Sequence, residues 1–242
     1  MATKIAYYDD PQYDYQRYWQ SRQYENEAEK ICLRRIFKLI PKKRDLIDIG
    51  AGFGRLAPLY ASCFDRCFLI DPSEKLLFQA KNFCRKYKNV FFKKGFVENM
   101  LIPDNSFDVA LMVRALHHLK NPGEVIKKIN RIVKPGGYFI LEFANKFHFK
   151  NCLRALFKLD FSFFSSHQPR VSPFLNYHPN QIKTLLLANG FKIIKTFSVS
   201  NLRLGFFKKL VPLRLLLVFE TLFFDFGCFG PSIFILSQKN QR

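Results

Sequence analysis

Three glycines stand at alternate positions just behind a short apolar run: Gly50, Gly52 and Gly54 in the stretch LIDIGAGFGRL. A strand followed by a glycine turn and a helix brings backbone close to a ligand at the carboxyl edge of a sheet. Glycine permits the tight turn and removes side chains from the path of approach. Asp48 precedes the turn directly. The stretch therefore predicts a ligand-binding loop.

The spacing of these glycines is GxGxG, whereas a dinucleotide site uses GxGxxG. The position that would complete the dinucleotide pattern is Arg55. Asp71 ends the next apolar run, where a carboxylate can accept hydrogen bonds from both ribose hydroxyls of NAD or of S-adenosylmethionine. Alternatively, Asp71 caps the helix that begins in DPSE, in competition with Ser73.

Short apolar runs alternate with helical patterns over the first 143 residues, which predicts an α/β doubly wound, mostly parallel sheet covered on both faces. A turn is predicted at KPGG, residues 134–137. The predicted strands are residues 45–49, 66–70, 90–93, 107–113 and 138–143, and the predicted helices are residues 25–39, 55–64, 73–87 and 122–133.

The rest of the chain continues the same domain. A Phe-rich insert follows the fifth strand, and after it come a helix at 178–189, a strand at 191–198, a helical block and a last strand at 232–236. We predict one domain over 1–242. It divides into an N-terminal helical cap at 1–40, a ligand-binding core at 41–143, an insert on the substrate side at 144–177 and a C-terminal part at 178–242.

The formal net charge is +20, and the basic excess is spread over both halves of the chain. Such a field favours nucleic acid, anionic membrane or phosphate as a partner, or it keeps a Phe-rich protein in solution. The six cysteines include no CxxC pair and no metal-ligand spacing stands out, so we predict reduced thiols, a cytoplasmic location and no metal.

Two segments were compared with the patterns of a signal peptide and of a membrane-spanning helix. The N-terminus is polar and does not resemble a signal peptide. The apolar region at 210–236 is interrupted by charges and prolines, so it fails the test for a spanning helix, although it could lie on a membrane surface.

Four motifs in order carry a family resemblance: DIGAGFGRL, LIDPSEKLL, GFVENMLIPDNSFDVALMVRALHHL and RIVKPGGYFILEF. Together they resemble the class I S-adenosylmethionine-dependent methyltransferases. Within these they are similar to the small-molecule branch that contains the quinone-biosynthesis enzymes. The resemblance implies a Rossmann-like sheet of seven strands with an antiparallel strand near the C-terminus. It also implies S-adenosyl-L-methionine as cofactor.

The resemblance also implies roles for individual residues. By this resemblance, the methionine part of the cofactor is bound by Asp48, Gly50 and the following Ala51, whereas Gly52 approaches the adenosine. The ribose acid is Asp71, with Pro72 beside it, and the adenine loop is Phe96, Val97 and Glu98. Relatives often place a polar residue at the position of Phe96. The methionyl side is lined by backbone at Arg114.

Two residues of the N-terminal segment are further candidates. Arg22 could bind the cofactor carboxylate, or it could be a solvated helix residue paired with a nearby glutamate. Trp19 could cover the pocket and meet the sulfonium with its ring, or it could anchor the helix to the domain.

A general base is needed only if the acceptor is a poorly acidic hydroxyl or carbon. His117 and His118 follow the fourth strand and are weak candidates for that base, with a structural role as the alternative. An Asn-Pro-Pro-aromatic run, typical of nucleobase amino methylation, is replaced here by VRALHH.

The Phe-rich insert predicts a small, apolar or lipid-like acceptor, and the run HFKNCLRALFKL predicts an amphipathic helix able to contact an anionic membrane. The alternative is that the rings of the insert pack it onto the core. Two other functions stay open: an RNA or protein methyltransferase, suggested by the charge alone, and a non-catalytic relative that binds the cofactor.

Overall fold

The computed structural model describes residues 6–99, 101–119, 121–157, 170–171, 175–202, 208, 210–225 and 230–241. Its strands are β1 (Asp45–Ile49), β2 (Arg66–Asp71), β3 (Val90–Lys94), β4 (Phe107–Met112), β5 (Val133–Ala144), β6 (Arg170–Val171), β7 (Leu175–Asn176), β8 (Phe191–Val199) and β9 (Ser232–Lys239). Its helices are α1 (Ala6–Asp9), α2 (Tyr15–Gln20), α3 (Gln23–Lys38), α4 (Ala57–Tyr60), α5 (Glu74–Phe83), α6 (Pro122–Ile132), α7 (Phe149–Phe157), α8 (Pro179–Ala188) and α9 (Leu213–Phe223), with a 3₁₀ turn at Leu116–His118.

Seven strands form one sheet in the order β3-β2-β1-β4-β5-β9-β8. Strands β1 to β5 pair in parallel, whereas β9 pairs antiparallel with both β5 and β8. The predicted Rossmann-like, mostly parallel sheet with an antiparallel strand near the C-terminus is confirmed. The strand order reverses between β1 and β4, and ligands of open α/β sheets bind at such a point.

Side chains of the strands alternate between two hydrophobic cores, one on each face of the sheet. Leu46 of β1 lies in the core covered by α3, α4, α5 and α9, and its neighbour Ile47 lies in the core covered by α6 and α8. Because both faces are covered, the inner strands read as continuous apolar runs rather than alternating ones.

Helix boundaries follow local capping chemistry. The Ser73 side chain accepts a hydrogen bond from the Leu76 backbone N–H and caps α5, so Asp71 is not the cap. Asn121 caps α6, with Pro122 in its first turn. The predicted helix at 55–64 is wrong in extent, because the structure forms regular helix only over α4.

The predicted turn at 134–137 is a bulge inside β5. Val133 pairs with Phe107 and Tyr138 pairs with Val109, so four residues stand opposite Asp108 alone. Gly136 has a φ of +72°, which glycine adopts without strain. Lys134 holds the bulge through its ion pair with Asp108.

The insert after β5 contains α7 and the short β6–β7 ladder. A bridge between Asn145 and Tyr177 closes its base. Of the seven insert phenylalanines, Phe149 and Phe157 are exposed and Phe147 is half-buried. The other four lie outside the described residues: Phe161, Phe163, Phe164 and Phe174. Packing onto the core therefore does not account for the two exposed rings.

Candidate functional site

A small cleft lies at the carboxyl ends of β1 and β4, at the reversal of strand order. It encloses a cavity of about 30 Å³, little more than the volume of a water molecule. Five of the predicted site residues line it: Asp48, Gly50, Ala51, Gly52 and Arg114. Five residues that the sequence did not single out as ligand contacts complete the lining: Tyr15, Phe53, Arg55, Leu56 and Val113.

The loop after β1 needs glycine at two positions for space as well as for conformation. Gly50 has a φ of +75°, and a Cβ there would lie 2.6 Å from Cβ of Ala115. Gly52 has a φ of +57°, and a Cβ there would lie 3.3 Å from Cε1 of Tyr15. The loop is therefore packed between the 3₁₀ turn after β4 and the ring of Tyr15.

Asp71, at the end of β2, ties the glycine loop to the start of α5. Its Oδ2 accepts from the Gly52 N–H at 2.8 Å and its Oδ1 accepts from the Ser73 N–H at 2.9 Å. Burial raises the pKa of Asp71 to about 6, against the lowering effect of these two bonds. Each carboxylate oxygen has a second lone pair, so Asp71 can still accept from a hydroxyl donor.

Asp48 lies on the floor of the cleft. Its Oδ2 accepts a hydrogen bond from the Tyr60 hydroxyl at 2.8 Å, within the core. Burial raises the pKa of Asp48 to about 7, and the negative charge of Asp71 adds to the increase. Burial therefore favours the protonated form of the Asp48 carboxyl group.

Two arginines of the cleft share one buried carboxylate. Glu29 of α3 is fully buried, and it binds Arg55 through Oε2 at 2.5 Å and Nε of Arg114 through Oε1 at 2.8 Å. Burial alone would raise the pKa of Glu29, but the two guanidinium groups outweigh it and lower that pKa. Arg114 has a φ of +60°, and its N–H donates to Glu142 at 2.7 Å.

Trp19 lies on top of these two arginines. Its ring centroid is 3.6 Å from Cζ of Arg55 and 5.2 Å from Cζ of Arg114. Its Nε1 is buried without a well-aligned hydrogen-bond partner among the described residues. Arg22 lies apart from the cleft, with its Cζ 4.3 Å from the centroid of the Tyr18 ring.

A cluster of aromatic rings from α1 and α2 covers the glycine loop. Tyr15 packs edge-on against Tyr8 and Phe53, with centroids 5.3 and 5.8 Å away. Asp9 fastens the segment to α5, because its carboxylate accepts from the Ser73 hydroxyl at 2.5 Å and from the Lys75 N–H at 3.3 Å. The described α1–α2 part of the predicted N-terminal cap thus lies over the glycine loop.

The two histidines lie beside this aromatic cluster. Nε2 of His118 is 2.9 Å from the Tyr8 hydroxyl, and the rings of His117 and His118 have centroids 4.1 Å apart. Burial lowers the pKa of His117 to about 3, helped by the charges of His118 and Arg114, so this ring is neutral at physiological pH.

The predicted adenine loop lies next to Asp71 but does not line the cavity. The Gly95 N–H donates to the Asp71 carbonyl at 3.1 Å, which places Phe96 close to the end of β2. Val97 is buried in the core under α6, whereas Glu98 is exposed on that side and its carbonyl accepts from Lys128. Pro72 is half-buried between Asp71 and Ser73.

No group of three or more His, Cys, Asp or Glu side chains is placed to hold a metal ion within the described part of the chain. Of its helices, none is long and apolar enough to cross a lipid bilayer. The five described cysteines are all free thiols, and Cys228 lies outside the described residues.

Comparisons with known proteins agree with this geometry. Residues 47–141 match the family model described as a methyltransferase domain. An uncharacterised methyltransferase of Bacillus subtilis, YcgJ, is 30% identical over 98 residues, 40% of this chain and 39% of that protein. A demethylmenaquinone methyltransferase of Chlamydia trachomatis is 31% identical over 112 residues, 44% of this chain and 48% of that protein.

The aligned part of the chain spans less than half the length of these curated relatives. A solved S-adenosylmethionine-dependent methyltransferase of Thermotoga maritima is similar over nearly the full length, with a TM-score of 0.61, 23% identity and coverage of 93% of this chain and 94% of that one. At that identity the likeness concerns the fold. Residues 47–141 therefore match the methyltransferase domain family, and the seven-stranded sheet that extends from this core has the fold of S-adenosylmethionine-dependent methyltransferases.

Proposed function

We propose that this protein transfers the methyl group of S-adenosylmethionine to a small, apolar or lipid-like acceptor. The observation that carries the proposal is the cleft at the end of β1. There a loop of glycines with positive φ, bonded by the strand-end carboxylate of Asp71, meets two largely buried arginines in a core that matches the methyltransferase family.

The residues of the cleft fit the cofactor of this family. A Cβ at Gly50 would fill the backbone cradle, as its 2.6 Å distance from Ala115 indicates. Arg55 and Arg114 bring two positive charges to one carboxylate, Glu29, so the trio has room for a further anion. We assign the methionyl carboxylate to this pair rather than to Arg22, and the ribose hydroxyls to Asp71.

Binding requires the N-terminal aromatic residues to move, because the cavity of about 30 Å³ is far smaller than a nucleoside. Tyr15 is the side chain that closes the space above Gly52. We infer that α1 and α2 open to admit the cofactor and then lie over it, with Tyr15 and Trp19 facing the sulfonium side.

When bound, S-adenosylmethionine supplies an activated methyl group, which leaves the protein to align the acceptor and exclude water. The aromatic cover of Tyr8 and Tyr15 excludes water. If the acceptor must lose a proton, His118 is the better placed of the two histidines, because it bonds the Tyr8 hydroxyl at the border of the cleft. His117 is a weak base with a pKa of about 3, caused mainly by burial.

Two observations support an apolar acceptor. Phe149 and Phe157 of α7 expose their rings beyond the end of β5, on the same edge of the sheet as the cleft. The chlamydial relative is named for methylation of demethylmenaquinone, a lipid-like quinone. A cytoplasmic location at the surface of an anionic membrane is part of this proposal, and the free thiols support the cytoplasmic side.

The test is a screen of S-adenosylmethionine-dependent methyl transfer against extracts of lipids, small molecules, RNA and protein, read by mass spectrometry. Methylation of a lipid-like product is the expected result. Exclusive methylation of RNA or protein would contradict the acceptor class. Calorimetry with S-adenosylmethionine and its demethylated product tests whether the protein binds the cofactor. Cofactor binding without any methylated product in the screen would indicate a non-catalytic relative.

A further inference from the structure

The outward face of α9 carries a stripe of four large apolar side chains. Leu215, Val218, Phe219 and Leu222 are each between 49% and 63% exposed. Their spacing places them on one side of the helix over two turns. We call this face the α9 stripe. A continuous apolar surface of this kind marks an interaction site rather than the usual scatter of single apolar residues.

The opposite face of α9 packs against the core of the domain, so the stripe faces solvent. Leu216 is buried, and Glu220 is fully buried beneath the helix. The Glu220 carboxylate accepts from the Tyr24 hydroxyl and from the Asn201 N–H at 3.0 Å. Arg35 of α3 donates to the Thr221 carbonyl at 3.3 Å.

Exposed basic residues occur both on α9 and on the helix that packs against it. Arg214 is exposed on α9 itself, and Arg34 and Lys38 are exposed on α3, the helix against which α9 packs. The nearby carboxylates are already compensated: Asp225 pairs with Lys195 at 2.8 Å, and Glu25 pairs with Lys208 at 2.9 Å. The stripe therefore combines an apolar surface with an excess of positive charge.

We propose that the α9 stripe docks on an anionic lipid membrane, with its apolar side chains in the acyl boundary and Arg34, Lys38 and Arg214 at the lipid headgroups. A helix with this division of apolar and basic residues lies in the interfacial plane of such a membrane. Charge disfavours a second copy of the chain as the occupant, because each copy carries +20.

The same helix connects this surface with the cleft. Glu29 of α3 holds the two cleft arginines, and Arg35 of α3 contacts α9 six residues later, about 9 Å along the helix axis. Helix α3 thus contacts both α9 and the cleft arginines, which fits a lipid-like acceptor. The docking proposal rests on the membrane location given under the proposed function and deepens it, and it holds for any acceptor.

The test is flotation of the full chain with vesicles of phosphatidylcholine, either pure or mixed with phosphatidylglycerol. We expect binding to the mixed vesicles that weakens with salt, and loss of about tenfold in partitioning for Leu222→Glu and for Val218→Glu. Arg214→Ala is expected to lose about fivefold at low salt. The matched control is Leu187→Glu on α8, at a leucine 58% exposed on the opposite face of the sheet, which should bind like the wild type.

Unfolding curves and cofactor calorimetry of each variant show that fold and cleft are intact. No flotation of the wild type, or equal partitioning of Leu222→Glu and the wild type, would overturn the proposal. So would analytical ultracentrifugation showing a dimer of the wild type that Leu222→Glu dissociates. These outcomes are independent of the methyl-transfer screen, so failure of one proposal is distinguishable from failure of the other.

Discussion

Nε of Arg114 donates a hydrogen bond to the Glu29 carboxylate at 2.8 Å, across 85 positions of sequence. This contact joins α3 to the loop after β4. Arg55 binds the other carboxylate oxygen at 2.5 Å, so one buried anion sets the position of both cleft cations.

Replacing Glu29 by Gln leaves two largely buried guanidinium groups without the carboxylate that they share. Loss of one partner from a buried ion pair costs about 3 to 5 kcal/mol of unfolding free energy. Urea unfolding of Glu29→Gln should show a loss in this range. Glu27→Gln is the matched control, because Glu27 pairs with Lys30 at the partly exposed surface, where a pair contributes about 1 kcal/mol or less. Equal losses in the two variants would contradict the assigned role of Glu29.

Cofactor affinity should depend on pH through Asp71. Burial raises the pKa of Asp71 to about 6, and only the ionised carboxylate accepts from both ribose hydroxyls. Calorimetry at pH 5 should therefore give an affinity about tenfold weaker than at pH 7. Asp71→Asn should bind weakly at both pH values. Glu74→Gln, at an exposed acid in the first turn of α5, should keep the wild-type dependence.

Fluorescence of the protein should report cofactor binding, because Trp19 is its single tryptophan. The indole is buried against Arg55 and lies beside Tyr15, which must move from the cleft. Titration with the demethylated cofactor should shift the emission in parallel with the calorimetric isotherm, and Trp19→Phe should abolish the signal. If calorimetry shows saturable binding but the Trp19 emission does not change, the cofactor enters without moving the N-terminal aromatic residues.

The contribution of Asp48 to stability should fall as the pH rises from about 4 to about 7. Burial raises the pKa of Asp48 to about 7, so over this range the folded state retains a proton that the unfolded chain has lost. Stability from this group is complete below pH 4 and lost as pH approaches 7, and the change is roughly 2 to 4 kcal/mol.

Asp48→Asn carries no titrating group and can still accept from the Tyr60 hydroxyl. Its unfolding free energy should be flatter between pH 4 and pH 7 than that of the wild type. The control is Asp104→Asn, since Asp104 pairs with Arg131 at the surface. A parallel pH profile for Asp48→Asn and the wild type would show that Asp48 is not protonated in the folded protein.

The fold was predictable because its signals are local. Each inner strand is a short apolar run, and glycines or capping residues such as Ser73 mark its borders. The extent of the helix after Gly54 was not predictable in the same way. Residues 55–64 have a helical composition, but the structure forms turns on both sides of α4, and the Arg55 side chain binds Glu29.

The backbone part of the candidate site follows from local sequence, whereas the side chains that meet there come from distant positions in the chain. Gly50, Gly52 and Asp71 follow from the motif. Arg55 directly follows the glycines, and this position could have identified it as a residue of the cleft. Its partner Glu29 could not be identified in this way, because it belongs to a helix 26 positions earlier. The sequence pattern does not predict that the Arg22 side chain contacts the Tyr18 ring whereas the Tyr15 ring contacts the glycine loop.

The position of β9 has a consequence for synthesis on the ribosome. This strand is made after β8, yet it lies between β5 and β8 and pairs with both. Until β9 emerges, the nascent chain carries two unpaired strand edges, a state that invites aggregation. At 5 to 20 residues per second, the delay from β8 to β9 is roughly two to eight seconds. Completion of this sheet therefore waits for β9 to emerge, and until then a chaperone would find exposed β-edges to bind.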